Sequence, residues 1–268
     1  MTATADRYEP VDKADRWVID ILKTVEPPGF MIFEEVDMTA TQEIIARSRA
    51  QGVKLTYTHV VARASALALS RHPELVRIML GKRKLAYPDT IDIGVSVSSE
   101  LSLSAEPTLI VQDAGRKDLV RIASEITEKA AEVRAAFAGE REQARRFVRV
   151  IPFEFLRKAL VRKMKSRLSM IRENVGLFHI TSVPRLQYAI PLICPGTGAL
   201  CITRVEDRVV ARDGQPVVLP TTRLGLIGDH RVWKGTESSI VITEIKKILE
   251  SGELADELAG TLKSTVGS

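Results

Sequence analysis

Apolar and polar side chains alternate along this chain with two different periods. In five segments apolar residues recur every three to four positions, which is the spacing of an amphipathic helix. The predicted helices are Lys13–Lys23, Thr41–Gln51, Thr58–His72, Lys117–Ala138 and Glu237–Glu250. Short runs rich in Val and Ile, bounded by Gly, Pro, Asp or Ser, predict strands. The predicted strands are Met31–Val36, Thr90–Ser98, Pro107–Gln112, Leu177–Thr181, Ala199–Val205, Asp207–Ala211 and Val217–Ile227.

The order of these elements mixes helix–strand alternation with a strand-rich region. It predicts an α/β fold in which a mixed sheet is packed with helices. An Asp213-Gly214 pair between two Val-rich runs predicts a β-hairpin. The 268 residues, of which 45% are apolar, can build one large domain or two small ones. Because no repeat, linker or low-complexity tract divides the chain, we predict a single domain over residues 1–268.

Positive charge is concentrated in one segment of the chain. The whole chain has a net charge of +5, yet residues 141–172 alone carry +9, so the remainder carries −4. A sequence pI near 9.2 therefore reflects one local feature and not the whole surface. We name residues 141–175 the basic arm and predict that it is a helical insertion.

The second part of the basic arm predicts one amphipathic helix from Phe153 to Glu173, roughly 30 Å long, opened by Pro152. Its apolar stripe comprises Phe153, Leu156, Leu160, Met164, Leu168, Ile171 and Val175. The stripe either packs on its own protein or a sister subunit, or docks on a membrane surface or an acidic partner. Nucleic acid is the least favoured partner, because the arm has little interleaving of basic and aromatic residues.

The N-terminal segment has no apolar run behind a basic flank, so we expect a cytoplasmic location.

The long uncharged stretch between Arg185 and Arg204 contains two Pro and two Gly, which predicts two strands meeting at a turn and not a membrane span. Cys194 and Cys201 flank that turn. We expect two buried thiols with no disulfide, no metal and no chemical role.

One of the four histidines stands out by its position. His59, His72 and His179 lie in a helix, at a helix end and in a strand, where a structural imidazole is the simpler interpretation. His230 instead follows a long apolar strand and precedes a helix. An imidazole placed there is held rigidly while its tip stays accessible, which suits a general base.

The residues around His230 carry a specific resemblance. The segment from Asp229 to Gly235 resembles the Asp-His-Arg-x-x-Asp-Gly motif of dihydrolipoamide acyltransferases, the core components of 2-oxo acid dehydrogenase complexes. Related chloramphenicol acetyltransferases share the His-x-x-x-Asp-Gly part. The similarity also covers residues 30–39, 66–73, 91–97, 111–114 and 178–181, and it continues to about residue 250.

This resemblance implies a two-layer fold like that of chloramphenicol acetyltransferase and an acyl transfer between coenzyme A, as substrate, and a dihydrolipoamide-like thiol or other acceptor. It implies His230 as general base and Thr181, at the end of a Phe-x-Ile-(Ser/Thr) strand, as the oxyanion donor. It further implies a homotrimer, or a multiple of one, with the site between subunits. Asp229, Arg231 and Gly235 would belong to the loop that holds His230, in roles left open.

Lys234 departs from the motif, because it replaces the acid, or sometimes Asn, that normally holds the loop, and a lysine accepts no hydrogen bond. The chain is then either an acyltransferase with a re-engineered anchor or an inactive one. A non-catalytic scaffold that docks through the basic arm is the alternative from another class. We expect no lipoyl group on this chain, with Lys13 a surface residue at a helix start, so a separate lipoyl-bearing protein is an expected partner.

Overall fold

The computed structural model describes residues 12–24, 29–81, 83–98, 106–191 and 193–266. The helices in these ranges are α1 (Lys13–Leu22), α2 (Thr39–Ala50), α3 (Tyr57–Arg71), α4 (Leu119–Val150), α5 (Glu154–Met164), α6 (Leu168–Asn174), α7 (Gly235–Ser251) and α8 (Glu253–Val266). The strands are β1 (Gly29–Asp37), β2 (Ile78–Leu80), β3 (Lys84–Ala86), β4 (Ile93–Ser96), β5 (Thr108–Val111), β6 (Phe178–Ser182), β7 (Gly198–Ile202), β8 (Glu206–Arg212) and β9 (Gln215–Asp229). None of the helices in the described ranges is long and apolar enough to cross a membrane.

The main sheet has the strand order β1-β9-β7-β6-β4-β5, and β8 pairs with the first half of β9. β6 runs parallel to both β7 and β4, whereas the other pairs are antiparallel. The mixed sheet is therefore confirmed. β2 and β3 form a separate two-stranded ribbon that the sequence pattern did not predict.

Helices cover one face of this sheet. α3 packs against α4 and α7, α7 packs against β1 and β9, and α4 packs against β5. Four alanines in α3 allow this close approach, and most of the helix is buried. The buried apolar residues of α3, α4, α7 and the sheet form one large cluster. The predicted α/β class, with helices packed on a mixed sheet, is confirmed.

Several predicted elements lie within a few residues of the observed ones, and the β8–β9 hairpin is confirmed. Asp213 and Gly214 form its two-residue loop with φ of 52° and 77°. Positive φ at both loop positions matches the right-handed strand twist, and Asp-Gly tolerates it. The helix predicted to end at Ala138 instead continues to Val150, into the basic arm, and α8 was not predicted.

The single helix predicted from Phe153 to Glu173 is wrong, because α5 and α6 are separated at residues 165–167. The hydroxyl of Ser166 donates to the Lys163 carbonyl oxygen at 2.7 Å and so competes with helix continuation. The stripe is also not buried as a unit. Phe153, Leu156, Leu160 and Met164 are exposed by 60%, 45%, 37% and 37%, and we name these four residues the α5 stripe.

The basic arm is attached to α1 by charge. Three of its arginines pair with aspartates: Arg141 with Asp15 at 2.8 Å, Arg145 with Asp12 at 3.1 Å, and Arg157 with Asp20 at 2.5 Å. The last pair is buried, so the Arg157 side of α5 faces inward and the α5 stripe faces outward. Trp17 and Phe147 also meet edge to face with centroids 4.6 Å apart.

Candidate active site around His230

His230 is the first residue of the turn after β9, and its side chain is exposed. The turn is closed where the amides of Val232 and Trp233 both donate to the Asp229 carbonyl oxygen at 2.8 Å. Within the described part of the chain the imidazole forms no hydrogen bond, and the Phe30 ring lies beside it with centroids 6.0 Å apart. The imidazole is thus held from one side and open on the other.

The two motif residues next to His230 form an ion pair. Arg231 donates to both carboxylate oxygens of Asp229, through Nε at 2.9 Å and Nη2 at 2.6 Å. Asp229 is buried and its amide donates to the Thr197 carbonyl oxygen at 2.9 Å, which ties the end of β9 to the loop before β7. These contacts give Asp229 and Arg231 a loop-holding role.

Gly235 opens α7 and makes room for the ring that flanks His230. A Cβ at Gly235 would meet the Phe30 ring at 3.2 Å, a contact that would push the ring. Trp233 is fully buried, and its indole N–H donates to the Leu75 carbonyl oxygen at 3.0 Å. The loop is therefore held by the packing of the buried Trp233 side chain as well as by hydrogen bonds.

The position that departs from the motif, Lys234, is exposed and is the N-cap of α7. Its side chain forms no ion pair with any residue in the described ranges. The anchor is supplied by Glu237, whose carboxylate accepts the Lys234 amide at 3.1 Å and Arg77 Nη2 at 3.1 Å. Arg77 also donates to the Val232 carbonyl oxygen at 2.8 Å, so the loop is held at two points.

The Glu237 carboxylate is suited to this task. Its own backbone N–H has the largest effect and lowers its pKa; burial opposes this, and the Lys234 N–H and the Arg77 guanidinium lower the pKa further. Sequence reasoning missed both Glu237 and Arg77. A glutamate three residues after a helix N-cap is a recognisable capping signal, whereas nothing local in the sequence indicates Arg77.

Thr181 lies on β6, is half-buried, and forms no hydrogen bond through its hydroxyl to another described residue. It pairs with Cys201 on β7, which pairs with Gly225 on β9. Gly225 precedes His230 by five residues. With about 4.8 Å between strands and about 3.3 Å per residue, the Cα atoms of Thr181 and His230 are roughly 20 Å apart. The structure therefore does not bring the two together within one chain.

Thr181 faces away from α7. A Cβ at Gly228 would meet Ser238 of α7 at 2.9 Å, whereas a Cβ at Gly225 would meet the Ala189 carbonyl oxygen at 2.5 Å. Two strand residues three apart point to opposite faces, so Gly225 marks the face opposite α7. Thr181 shares that face because it is in the same row of the sheet.

Exposed apolar side chains cluster on the same face. We name Met31, Phe33, Leu186, Tyr188 and Ile193 the outer patch; they are exposed by 51%, 49%, 50%, 59% and 37%. The Phe33 ring and the segment at Ala189 both approach Gly225, which places β1 and residues 189–190 side by side. Such a patch on a folded chain marks an interaction surface.

The remaining predicted residues take structural positions. His59 is buried at the start of α3, and His72 caps its C-terminus. His179 Nε2 lies 2.9 Å from the Ser96 hydroxyl. Cys194 and Cys201 are buried and free, and burial raises the pKa of their thiols to about 12 and about 11. Lys13 lies exposed in the first turn of α1.

A model of the 2-oxoacid dehydrogenases acyltransferase (catalytic domain) family matches residues 5–147, more than half of the chain. A relative is the dihydrolipoyllysine-residue succinyltransferase component of the 2-oxoglutarate dehydrogenase complex of Rickettsia bellii, 27% identical over 229 residues, which are 82% of this chain and 49% of that protein. The chain thus spans about half the length of the curated relatives it matches.

Solved structures share the fold. The Azotobacter vinelandii dihydrolipoamide acetyltransferase, studied for the role of a serine, a histidine and an asparagine in its catalytic mechanism, matches with a TM-score of 0.70 at 17% identity. The match covers 96% of this chain and 95% of that one. A probable dihydrolipoamide acetyltransferase from Listeria monocytogenes matches with a TM-score of 0.68 at 20% identity, over 93% and 96% of the two chains.

Proposed function

Since the chain belongs to the 2-oxoacid dehydrogenases acyltransferase (catalytic domain) family, we propose that it moves an acyl group between coenzyme A and a thiol of the dihydrolipoamide type. The observation that carries the proposal is the turn at His230, which is anchored at several points and leaves the imidazole open. The cytoplasmic location stays a prediction. A separate lipoyl-bearing protein is the proposed source of the thiol.

The chemistry assigns one step to each side chain. A thiol of pKa near 8.5 is mostly protonated at neutral pH, and the neutral imidazole of His230 takes its proton as sulfur attacks the thioester carbon. The carbonyl oxygen becomes an oxyanion, to which the Thr181 hydroxyl donates. When the tetrahedral intermediate collapses, the carbon–sulfur bond to the departing thiolate breaks, and that thiolate recovers the proton from the imidazolium.

The separation of roughly 20 Å between Thr181 and His230 supports a site shared between two subunits. Thr181 lies on the face opposite α7, beside the outer patch, which a neighbouring subunit would cover. His230 lies at the far end of β9, where it can meet the Thr181 face of a neighbour. We propose a homotrimer, or a multiple of one, as the active form.

Of the two alternatives that Lys234 raises, we favour an active acyltransferase whose His230 loop is held by other residues over an inactive protein. The histidine and asparagine of the Azotobacter vinelandii enzyme are four positions apart, as His230 and Lys234 are here. The Lys234 side chain cannot accept a hydrogen bond, yet Glu237 and Arg77 hold the same loop. Glu237→Ala should lower kcat by about tenfold to a hundredfold with KM little changed, whereas Lys234→Ala should leave both unchanged.

The proposal is tested by following acyl transfer from acetyl- and succinyl-coenzyme A to dihydrolipoamide. His230→Ala should lower kcat at least a thousandfold, and Thr181→Ala about a hundred- to a thousandfold. Turnover absent with every donor, or equal in wild type and His230→Ala, would refute the enzymatic function.

Shared sites predict complementation. His230→Ala and Thr181→Ala chains, unfolded together and refolded, should form mixed oligomers in which some sites combine an intact His230 with an intact Thr181. Activity should therefore return in the mixture. Two inactive proteins that stay inactive after mixing would show that each site belongs to one subunit.

The second candidate function is a scaffold that docks through the basic arm, and the α5 stripe favours it. Arg149, Lys163 and Arg167, near the stripe, are exposed and form no ion pair within the described ranges. Apolar side chains with a basic rim suit an anionic membrane surface. Co-sedimentation with phosphatidylserine vesicles should decrease as salt is added, and it should also decrease in the double variant Phe153→Ser/Leu156→Ser. Neutral vesicles should not bind the protein. Vesicle binding without acyl transfer would select this candidate.

A further inference from the structure

A cavity of about 350 Å³ lies beside the His230 loop, and the mechanism above does not use it. It is enclosed by the basic arm, the β2 ribbon, the 194–196 loop and the two residues that flank His230 in sequence. Its volume is in the range of small-molecule sites in proteins. Because arm residues form a wall, the cavity depends on the basic arm.

The cavity has an apolar wall and a positively charged wall. Ile78, Met79, Ile171, Val175 and Pro195 supply the apolar side. Arg162, Lys165 and Arg231 supply three cations, against the single carboxylate of Asp229. Since Arg231 already engages both oxygens of Asp229, two positive charges lack a counter-ion in the lining.

Lys165 shows this imbalance most clearly. Its ammonium donates to the Thr24 hydroxyl at 3.0 Å and pairs with no carboxylate in the described part of the chain. Burial lowers its pKa, because the charged form loses solvation. Lysines in such surroundings are normally paired with an acid. Arg162, one helical turn before it, likewise has no acidic partner among the described residues.

We propose that this cavity binds a small phosphate monoester, with the phosphate between Arg162 and Lys165 and the organic part against the apolar wall. A phosphate monoester carries nearly two negative charges at neutral pH, which match the two uncompensated cations. Charge-assisted hydrogen bonds from Arg and Lys are the usual means of phosphate recognition. The site is separate from the proposed acyl transfer, and its test measures binding alone.

The test is isothermal titration of the full chain with phenyl phosphate, compared with inorganic phosphate and with phenol. Phenyl phosphate should bind with one ligand per chain and at least tenfold more tightly than inorganic phosphate, since only phenyl phosphate uses both walls. Lys165→Met and Arg162→Gln should each weaken binding about tenfold or more, because each removes one charge-assisted hydrogen bond.

Lys163→Gln is the matched control. Lys163 follows Arg162 directly, is exposed and is outside the cavity, so its loss should change the affinity less than twofold. The proposal is overturned if 10 mM phenyl phosphate gives no saturable heat, or if Lys163→Gln weakens binding as much as Arg162→Gln. Arg162 is exposed, so Arg162→Gln keeps the test valid even if Lys165→Met is unstable.

Discussion

Lys234 sits at the N-cap of α7 in extended geometry, with φ of −82° and ψ of −178°, which is the conformation that capping residues adopt. A lysine there cannot accept a hydrogen bond from the Glu237 amide, which has only the Glu237 carboxylate itself as a side-chain acceptor. Lys234→Asp would accept from that amide while Glu237 accepts from residue 234, completing a reciprocal capping box. We expect the free energy of unfolding to rise by about 1 kcal/mol in urea titration.

The control for this prediction is Lys247→Asp, which makes the same charge change at an exposed position within α7, away from its N-terminus. No capping amide is available at that position, so it should not stabilise the protein. Equal stabilisation by both variants would mean that net charge, and not the cap, is responsible.

His59 makes stability depend on pH. It is 6% exposed, and burial lowers its pKa to about 4, with a hydrogen bond to the Lys54 backbone opposing. As pH falls below about 6.5 the unfolded chain binds this proton first, so the stabilisation is complete above that pH and is lost towards pH 4. From pH 7.5 to 5 the loss should be about 2 kcal/mol.

The measurement compares urea unfolding of wild type and His59→Gln at both pH values. The difference in stability between pH 7.5 and 5 should be about 2 kcal/mol smaller in the variant, since groups common to both proteins cancel. An identical pH dependence in wild type and His59→Gln would contradict the assignment.

At this scale the sequence was informative where the chemistry is local. The Asp229–Gly235 motif drew attention to His230, which is exposed, and to Lys234, whose side chain forms no ion pair with a described residue. The sequence did not indicate that Arg77 helps to hold the His230 loop. Arg77 and Glu237 are 160 residues apart, and only the folded chain shows that they meet.

Among the elements, patterns with a local cause were predictable and patterns set by distant contacts were not. The Asp213-Gly214 hairpin follows from the backbone freedom of two adjacent residues. The orientation of α5 does not follow from its apolar stripe, because the buried Arg157 turns that stripe outward. A sequence pattern assigns apolar residues to the core by default, and here a buried ion pair decides otherwise.

That ion pair gives the prediction at the element scale. Asp20 and Arg157 are exposed by only 2% and 5%. Arg157→Met leaves an uncompensated buried carboxylate and should lower the free energy of unfolding by about 3–5 kcal/mol. Replacing both residues, as Asp20→Leu/Arg157→Met, should recover most of that loss, as measured in a double-mutant cycle by urea unfolding.

Lys158→Met is the comparison, because Lys158 pairs with the half-exposed Glu154 one turn away on the same helix. Its loss should cost less than about 1 kcal/mol. If Arg157→Met proved no more harmful than Lys158→Met, the buried pair would not be what holds α5 on α1.

At the scale of the whole molecule, the proposed shared site would link assembly to activity. The outer patch and Thr181 share the face opposite α7, so a subunit that covers the patch would also close the proposed site. Phe33→Glu places a charge in the centre of the patch and should convert the oligomer to monomers in sedimentation velocity. Acyl transfer should then fall more than a hundredfold, although each chain keeps His230 and Thr181.

Val209→Glu serves as the control. Val209 is 69% exposed on β8, away from the outer patch, so the variant adds the same charge outside the proposed interface. It should sediment and react like wild type. A Phe33→Glu protein that remains oligomeric, or monomers that remain fully active, would contradict the link.

The pairing of α1 with the basic arm has a consequence for the order of synthesis. Asp20 and Arg157 are 137 residues apart, and ribosomes add about 5–20 residues per second. The aspartates of α1 therefore leave the ribosome roughly 7–27 s before the arginines that neutralise them. During that interval α1 has neither its charge partners nor the Phe147 ring. α1 is therefore synthesised well before the segment that secures it.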